Sequence, residues 1–85
     1  MTKLPLTVPA DQSIALSIEG NGVAAGPFDH GSYALFHVDD GPTVTLRKIS
    51  PSLNRLEPVP GYEIAPGGVV CEGSVIFVRL VRIRH

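Results

Sequence analysis

Apolar and polar residues alternate with a period of two along much of the chain, and turn residues interrupt the alternation again and again. Over Ser13–Glu19, Ile14, Leu16 and Ile18 fall on one side and Ser13, Ala15, Ser17 and Glu19 on the other. That is the pattern of a strand with one buried face. Gly20-Asn21-Gly22 ends it with a tight-turn signal, and Val23–Ala25 reads as a short return strand. After a turn at Asp29-His30-Gly31, Ser32–Val38 puts Ala34, Phe36 and Val38 on one face and Tyr33, Leu35 and His37 on the other. Asp39-Asp40-Gly41-Pro42 then turns the chain into Thr43–Ile49, with Val44 and Leu46 inward and Thr45 and Arg47 outward. These two segments form the clearest hairpin in the sequence. Short extended pieces follow at Arg55–Val59, Tyr62–Ile64 and Val69–Cys71, with Pro60-Gly61 and Ala65-Pro66-Gly67-Gly68 between them. The last strand, Ser74–Ile83, is apolar on both faces: Ile76, Val78 and Leu80 on one, Val75, Phe77, Val81 and Ile83 on the other, with Arg79 among the second set. Such a strand is central in a covered sheet or half-committed to a partner.

No segment carries capped apolar residues at i, i+3, i+4 and i+7. Nine Gly and eight Pro in 85 residues further disfavour long helices. The expected fold is all-β: a small antiparallel β-sandwich or barrel of seven or eight short strands. Residues 13–85 form the single β domain. Residues 1–12, with Pro5 and Pro9, form an extended N-terminal arm or edge strand, because proline cannot donate to a central ladder.

Composition narrows the function. Hydrophobic residues at 44% and charged residues at 18% describe a globular chain. The net charge of −1 argues against a dedicated nucleic-acid binder, which needs a surplus of Lys and Arg. Residues 1–43 hold one Lys against five acids, and residues 44–85 hold six basic residues against three acids. This division suits either an ordinary solvated surface or a polar subunit with ends of opposite sign. Cys71 is the only cysteine, so no disulfide forms within the chain. In its apolar run it reads as a small hydrophobe. A core of this size stabilises a fold only modestly, and association would supplement it. Pro5 and Pro9 interrupt any signal-peptide core, and no apolar run reaches the length of a membrane span, so a cytoplasmic origin is expected.

Candidate chemistry is sparse. His30, His37, Asp39 and Asp40 are close in sequence, but the acids equally suit turns, and no metal is expected. Gly20–Gly26 is glycine-rich without the Lys-Ser or Lys-Thr pair of a phosphate loop. There is no Gly-x-Ser-x-Gly elbow and no Trp for a stacking platform. No enzyme and no cofactor are expected. Arg79, Arg82, Arg84 and His85 read as a charged edge that deters sheet-to-sheet aggregation, with Arg47 and Lys48 placed near them.

Two families share the turn-and-strand grammar. Phe28-Asp29-His30-Gly31-Ser32-Tyr33, Gly41-Pro42-Thr43-Val44-Thr45-Leu46, Ala65-Pro66-Gly67-Gly68 and Val78-Arg79-Leu80-Val81-Arg82-Ile83 resemble the small β-sandwich structural proteins of tailed bacteriophages, the capsid decoration and head-associated modules. Asp29-His30 stands where those proteins usually have proline before the glycine. The resemblance implies a trimeric virion protein on the capsid surface, made in the host cytoplasm, that clamps coat subunits. Thr45–Ile49, Leu56-Glu57-Pro58 and Glu72–Val75 are similar to the C-terminal domain of self-cleaving SOS-type repressors. That family uses a serine in Gly-Asp-Ser-Met and a lysine near Arg47 or Lys48; here Gly22 holds the serine position. An inactive, dimerising regulatory module is the reading this second resemblance leaves.

On the first reading the protein acts by burying area against coat or other virion proteins. The expected contact residues are Leu4, Leu6 and Val8 of the arm, and Ile76, Val78, Leu80 and Arg82 of the last strand. The arm is expected to order on a neighbouring subunit.

Overall fold

A computed structural model describes residues 3–19, 25–29, 33–37 and 41–83, the stretch 25–29 by its backbone. Every regular element is a strand: β1 (Leu6–Pro9), β2 (Ser13–Ile18), β3 (Ala25–Asp29), β4 (Tyr33–His37), β5 (Thr43–Ser50), β6 (Leu53–Leu56), β7 (Tyr62–Glu72) and β8 (Val75–Arg82). They make two sheets, one of five strands in the order β1-β6-β5-β4-β3 and one of three in the order β2-β8-β7. The all-β two-sheet architecture is the one the alternation predicts.

One core joins the sheets. The five-stranded sheet supplies Val8, Phe36, Val44 and Leu56, and the three-stranded sheet supplies Leu16, Ile18, Ile64, Ile76, Val78 and Leu80. Leu56, Val44 and Leu80 have no exposed surface. Each such side chain contributes about 1.5–3 kcal/mol on burial. The cross-strand row Ala34–Leu46–Leu56–Leu6 is set by the registers of β4 with β5, β5 with β6 and β1 with β6, so the apolar residues of four strands face inward together.

The N-terminal segment belongs to this chain's own sheet. β1 pairs antiparallel with β6, and Val8 is 1% exposed. Pro5 precedes β1 and Pro9 ends it, at the sheet's edge, where a missing N–H costs no ladder bond. Ala10 N–H donates to the Ser52 carbonyl at 2.9 Å and extends the attachment.

Three features depart from the expected plan. β2 runs parallel to β8, from Ser13 opposite Val75 to Ile18 opposite Leu80, so the small sheet is mixed. The segments Tyr62–Ile64 and Val69–Cys71 are two ends of one strand, β7, whose register against β8 jumps between Ile64↔Leu80 and Val69↔Val78. The Ala65-Pro66-Gly67-Gly68 stretch is therefore a wide bulge, and it opposes Arg79 alone. Gly67 has φ +65°, and a Cβ on Gly68 would lie 2.7 Å from the Ala65 carbonyl oxygen and 2.9 Å from that of Arg79. Finally, Cys71 is exposed, because it lies near the end of β7 beyond the core.

Candidate functional site: the outer face of the small sheet

The expected contact residues are mostly unavailable. Val8, Ile76, Val78 and Leu80 are at most 9% exposed and pack in the core described above. Leu4 and Leu6 are partly buried against that core. Arg82 is exposed but held: its Nη2 donates to the Tyr62 hydroxyl at 3.2 Å, its guanidinium lies 5.7 Å from the Tyr62 ring centre, and its Nε is 3.7 Å from the Glu19 carboxylate. The Glu19 carboxylate also accepts from the Arg82 backbone N–H at 3.3 Å. Both partners keep the Arg82 guanidinium charged, the Tyr62 hydroxyl first. The structure does not bring these seven residues together as one surface.

The parity of β8 explains the outcome. Both faces are apolar, and the face bearing Ile76, Val78 and Leu80 is the one the core takes. The other face carries Val75, Phe77, Arg79 and Val81, and Phe77 is 43% exposed. Its neighbours in register are Ala15 on β2 and Val70 on β7, so Ala15–Phe77–Val70 is one cross-strand row. Val70 is 47% exposed. The next row holds Ser13, Val75 and Glu72; on the other side Ser17 pairs with Arg79 beside the bulge. A shallow cleft of about 270 Å³ runs between Phe77, Arg79, Ser17 and the Gly67-Gly68 backbone. Sequence reasoning expects a spare face on the last strand but places it at Ile76, Val78 and Leu80, whereas the exposed side carries Phe77. The signal of that side was Arg79: a charged residue in a doubly apolar strand marks the side that faces water.

The outer face of the five-stranded sheet is chemically different. Thr7, Arg55, Arg47 and Tyr33 form a row across β1, β6, β5 and β4. Arg47 Nε and Arg55 Nη2 both donate to Glu57 Oε1, at 3.1 and 2.9 Å, and Arg47 lies 5.7 Å from the Tyr33 ring centre. The Arg55 hydrogen bond first, then the positive charges of Arg55 and Arg47, hold the Glu57 carboxyl below its ordinary pKa against a partial desolvation. Arg47 therefore has its own partners, and it stands on a different sheet from Arg79 and Arg82.

His37 Nδ1 lies 3.5 Å from the Thr43 hydroxyl across the β4–β5 pair. His30, Asp39, Asp40 and all of Gly20–Gly26 but its last two residues lie outside the described residues. Among the described residues, no group of three or more His, Cys, Asp or Glu converges as a metal site would. A second cleft of about 270 Å³ lies between Leu4, Val59, Tyr62 and Ile64, with Lys3 and Glu63 at its rim. Comparison with family models, curated proteins and solved structures gave no match.

Proposed function

We propose that this protein is a non-enzymatic structural component of a tailed-phage virion, a capsid decoration or head-associated protein. It docks through the outer face of β2, β8 and β7 and stabilises the shell by burying area against neighbouring virion subunits. The observation that carries the reading is the exposed Phe77–Val70 pair, in register on a sheet whose opposite face already fills the core. Two large apolar side chains side by side in water favour being covered, and Phe is enriched at the centres of interfaces. Phage-like particles sedimented from the source and analysed by peptide mass spectrometry should contain the chain at a high, fixed ratio to the major coat protein. Its absence from particles, with the chain found soluble, would overturn the reading.

A second reading, a repressor-like regulatory dimerisation module, also has an observation behind it. Two of its three sequence matches form one structural unit. Leu46 pairs with Leu56, Glu57 N–H donates to the Thr45 carbonyl at 2.9 Å, and Arg47 bonds Glu57. This reading expects one specific cellular protein in a pull-down from particle-free extract.

A further inference from the structure

The outer face of the small sheet carries, besides its apolar row, three charges whose positions are fixed by register. Arg79 lies one row from Phe77 towards the C-terminal end of β8, and Glu72, opposite Val75, lies one row from it towards the N-terminal end. Glu63, opposite Val81, lies two rows from Phe77 beyond Arg79. Among the described residues, none of Arg79, Glu72 and Glu63 has an ion-pair partner.

We propose that this face packs on the same face of a second copy of the chain, about a two-fold axis running along the Ala15–Phe77–Val70 row. The inference rests on the docking reading above and names the occupant of that face. An axis along this row reverses the strand direction between copies while keeping order within the row. Phe77 then meets the partner copy's Phe77, and Val70 meets its counterpart. The row one step to one side meets the row one step to the other, so Arg79 of each copy faces the Glu72 row of its partner. One operation covers the apolar row and pairs the unpartnered Arg79 twice, once from each copy. Glu63, two rows out, falls beyond the partner's turn at Gly73 and stays in solvent. A self-complementary patch of this kind is what a two-fold interface requires. Charges so placed also reject other registers, because a shift of one row sets Arg79 against the apolar row.

The size of the face sets the strength. Three strands at about 4.8 Å spacing, over the roughly 20 Å from Val75 to Val81, give about 300 Å² per copy, just over a third of a standard stable interface. The pair is therefore reversible. The second copy is then the neighbouring virion subunit that this face docks on, and pairing lets the weak shell contacts of two copies act together.

The test is sedimentation equilibrium of the full chain over a wide concentration range. The expected result is a monomer–dimer equilibrium. Arg79→Glu and Glu72→Arg should each shift the dimer to at least tenfold higher concentration, an effect of about 1.4 kcal/mol. Combining them should restore wild-type association, because the swapped pair meets again across the axis. A Cys71→Ser, Val70→Cys chain should be joined by a short bis-maleimide cross-linker, because position 70 meets itself across the roughly 10 Å between packed sheets. Circular dichroism of each variant confirms that the fold is kept. A wild-type chain that stays monomeric throughout, or a double swap that fails to restore association, overturns the two-fold pair. The docking reading fails separately: if Phe77→Asp binds phage particles as well as wild type does, the face is not a docking surface, whatever the self-association shows.

Discussion

Replacing Gly68 by alanine tests the geometry of the bulge that shapes the proposed docking face. The added Cβ would stand 2.7 Å from the Ala65 carbonyl oxygen, 2.9 Å from the Arg79 carbonyl oxygen and 3.2 Å from the Ala65 nitrogen. All three are backbone atoms, and two belong to the bulge itself, so no side chain can swing away. Either the bulge must open or β8 must move at Arg79 by several tenths of an ångström. Overpacking of this kind costs about 1–3 kcal/mol, and backbone obstacles put Gly68→Ala at the upper end. For a domain of this size each kcal/mol lowers the melting temperature by about 4–8 °C, so a loss of roughly 10–20 °C is expected. Gly67→Ala is the control. At φ +65° it meets nothing within 4 Å, so it carries only the left-handed backbone penalty of about 1–2 kcal/mol. Thermal unfolding followed by far-ultraviolet circular dichroism measures both. A Gly68→Ala variant that melts within about 3 °C of wild type, or no lower than Gly67→Ala, would refute the reasoning.

Three further outcomes follow from the packing and the charges. Leu80→Ala, at a residue with no exposed surface, should cost about 3–5 kcal/mol, and denaturant unfolding would show it as a lower midpoint with an unchanged slope. Deleting residues 2–9 should unfold or strongly destabilise the chain, because it removes β1 and the core residue Val8; a truncated chain that melts like wild type would show that β1 adds nothing to the fold. The carboxyl of Glu57 is held below its ordinary pKa by Arg55 and Arg47, so its stabilising effect is present above the unfolded-state pKa and lost as pH falls through the folded-state pKa. Glu57→Gln should therefore melt slightly below wild type at neutral pH, and the gap should close in acid. A gap that persists in acid would mean that the ion pairs are not its source.

The strands with one buried face were readable because alternation names their inward residues directly. Leu16 and Ile18 of β2, Phe36 of β4 and Val44 of β5 all lie in the core. Where alternation was ambiguous, long-range pairing decided. Both faces of β8 are apolar, and nothing local says which turns inward; the choice is made by β2 and β7, which flank it, and by the facing sheet. Ile76, Val78 and Leu80, three of the seven expected contact residues, lie on the buried side for that reason. The parallel pairing of β2 with β8 joins segments far apart in the chain, and no turn signal encodes it. The bulge in β7 resembled a strand break because Pro66, Gly67 and Gly68 are breakers in most settings. In β1, the prolines suggest an extended arm or edge strand; it is an edge strand, and Val8 between them fills the core.

The central claim is that the outer face of β2, β8 and β7 docks this protein into a virion. The most direct test supplies wild-type chain and Phe77→Asp, in equal amounts and isotopically distinguished, to phage-like particles from the source stripped of the native chain. The sedimented particles are then read by peptide mass spectrometry. Phe77 is 43% exposed and outside the core, so the variant should keep its fold at a modest cost in melting temperature, which circular dichroism checks before the particles are mixed. The account predicts wild-type chain on the particles at a fixed ratio to the coat protein and the variant depleted at least tenfold. Equal incorporation of the two, or particles that take up neither, would contradict it.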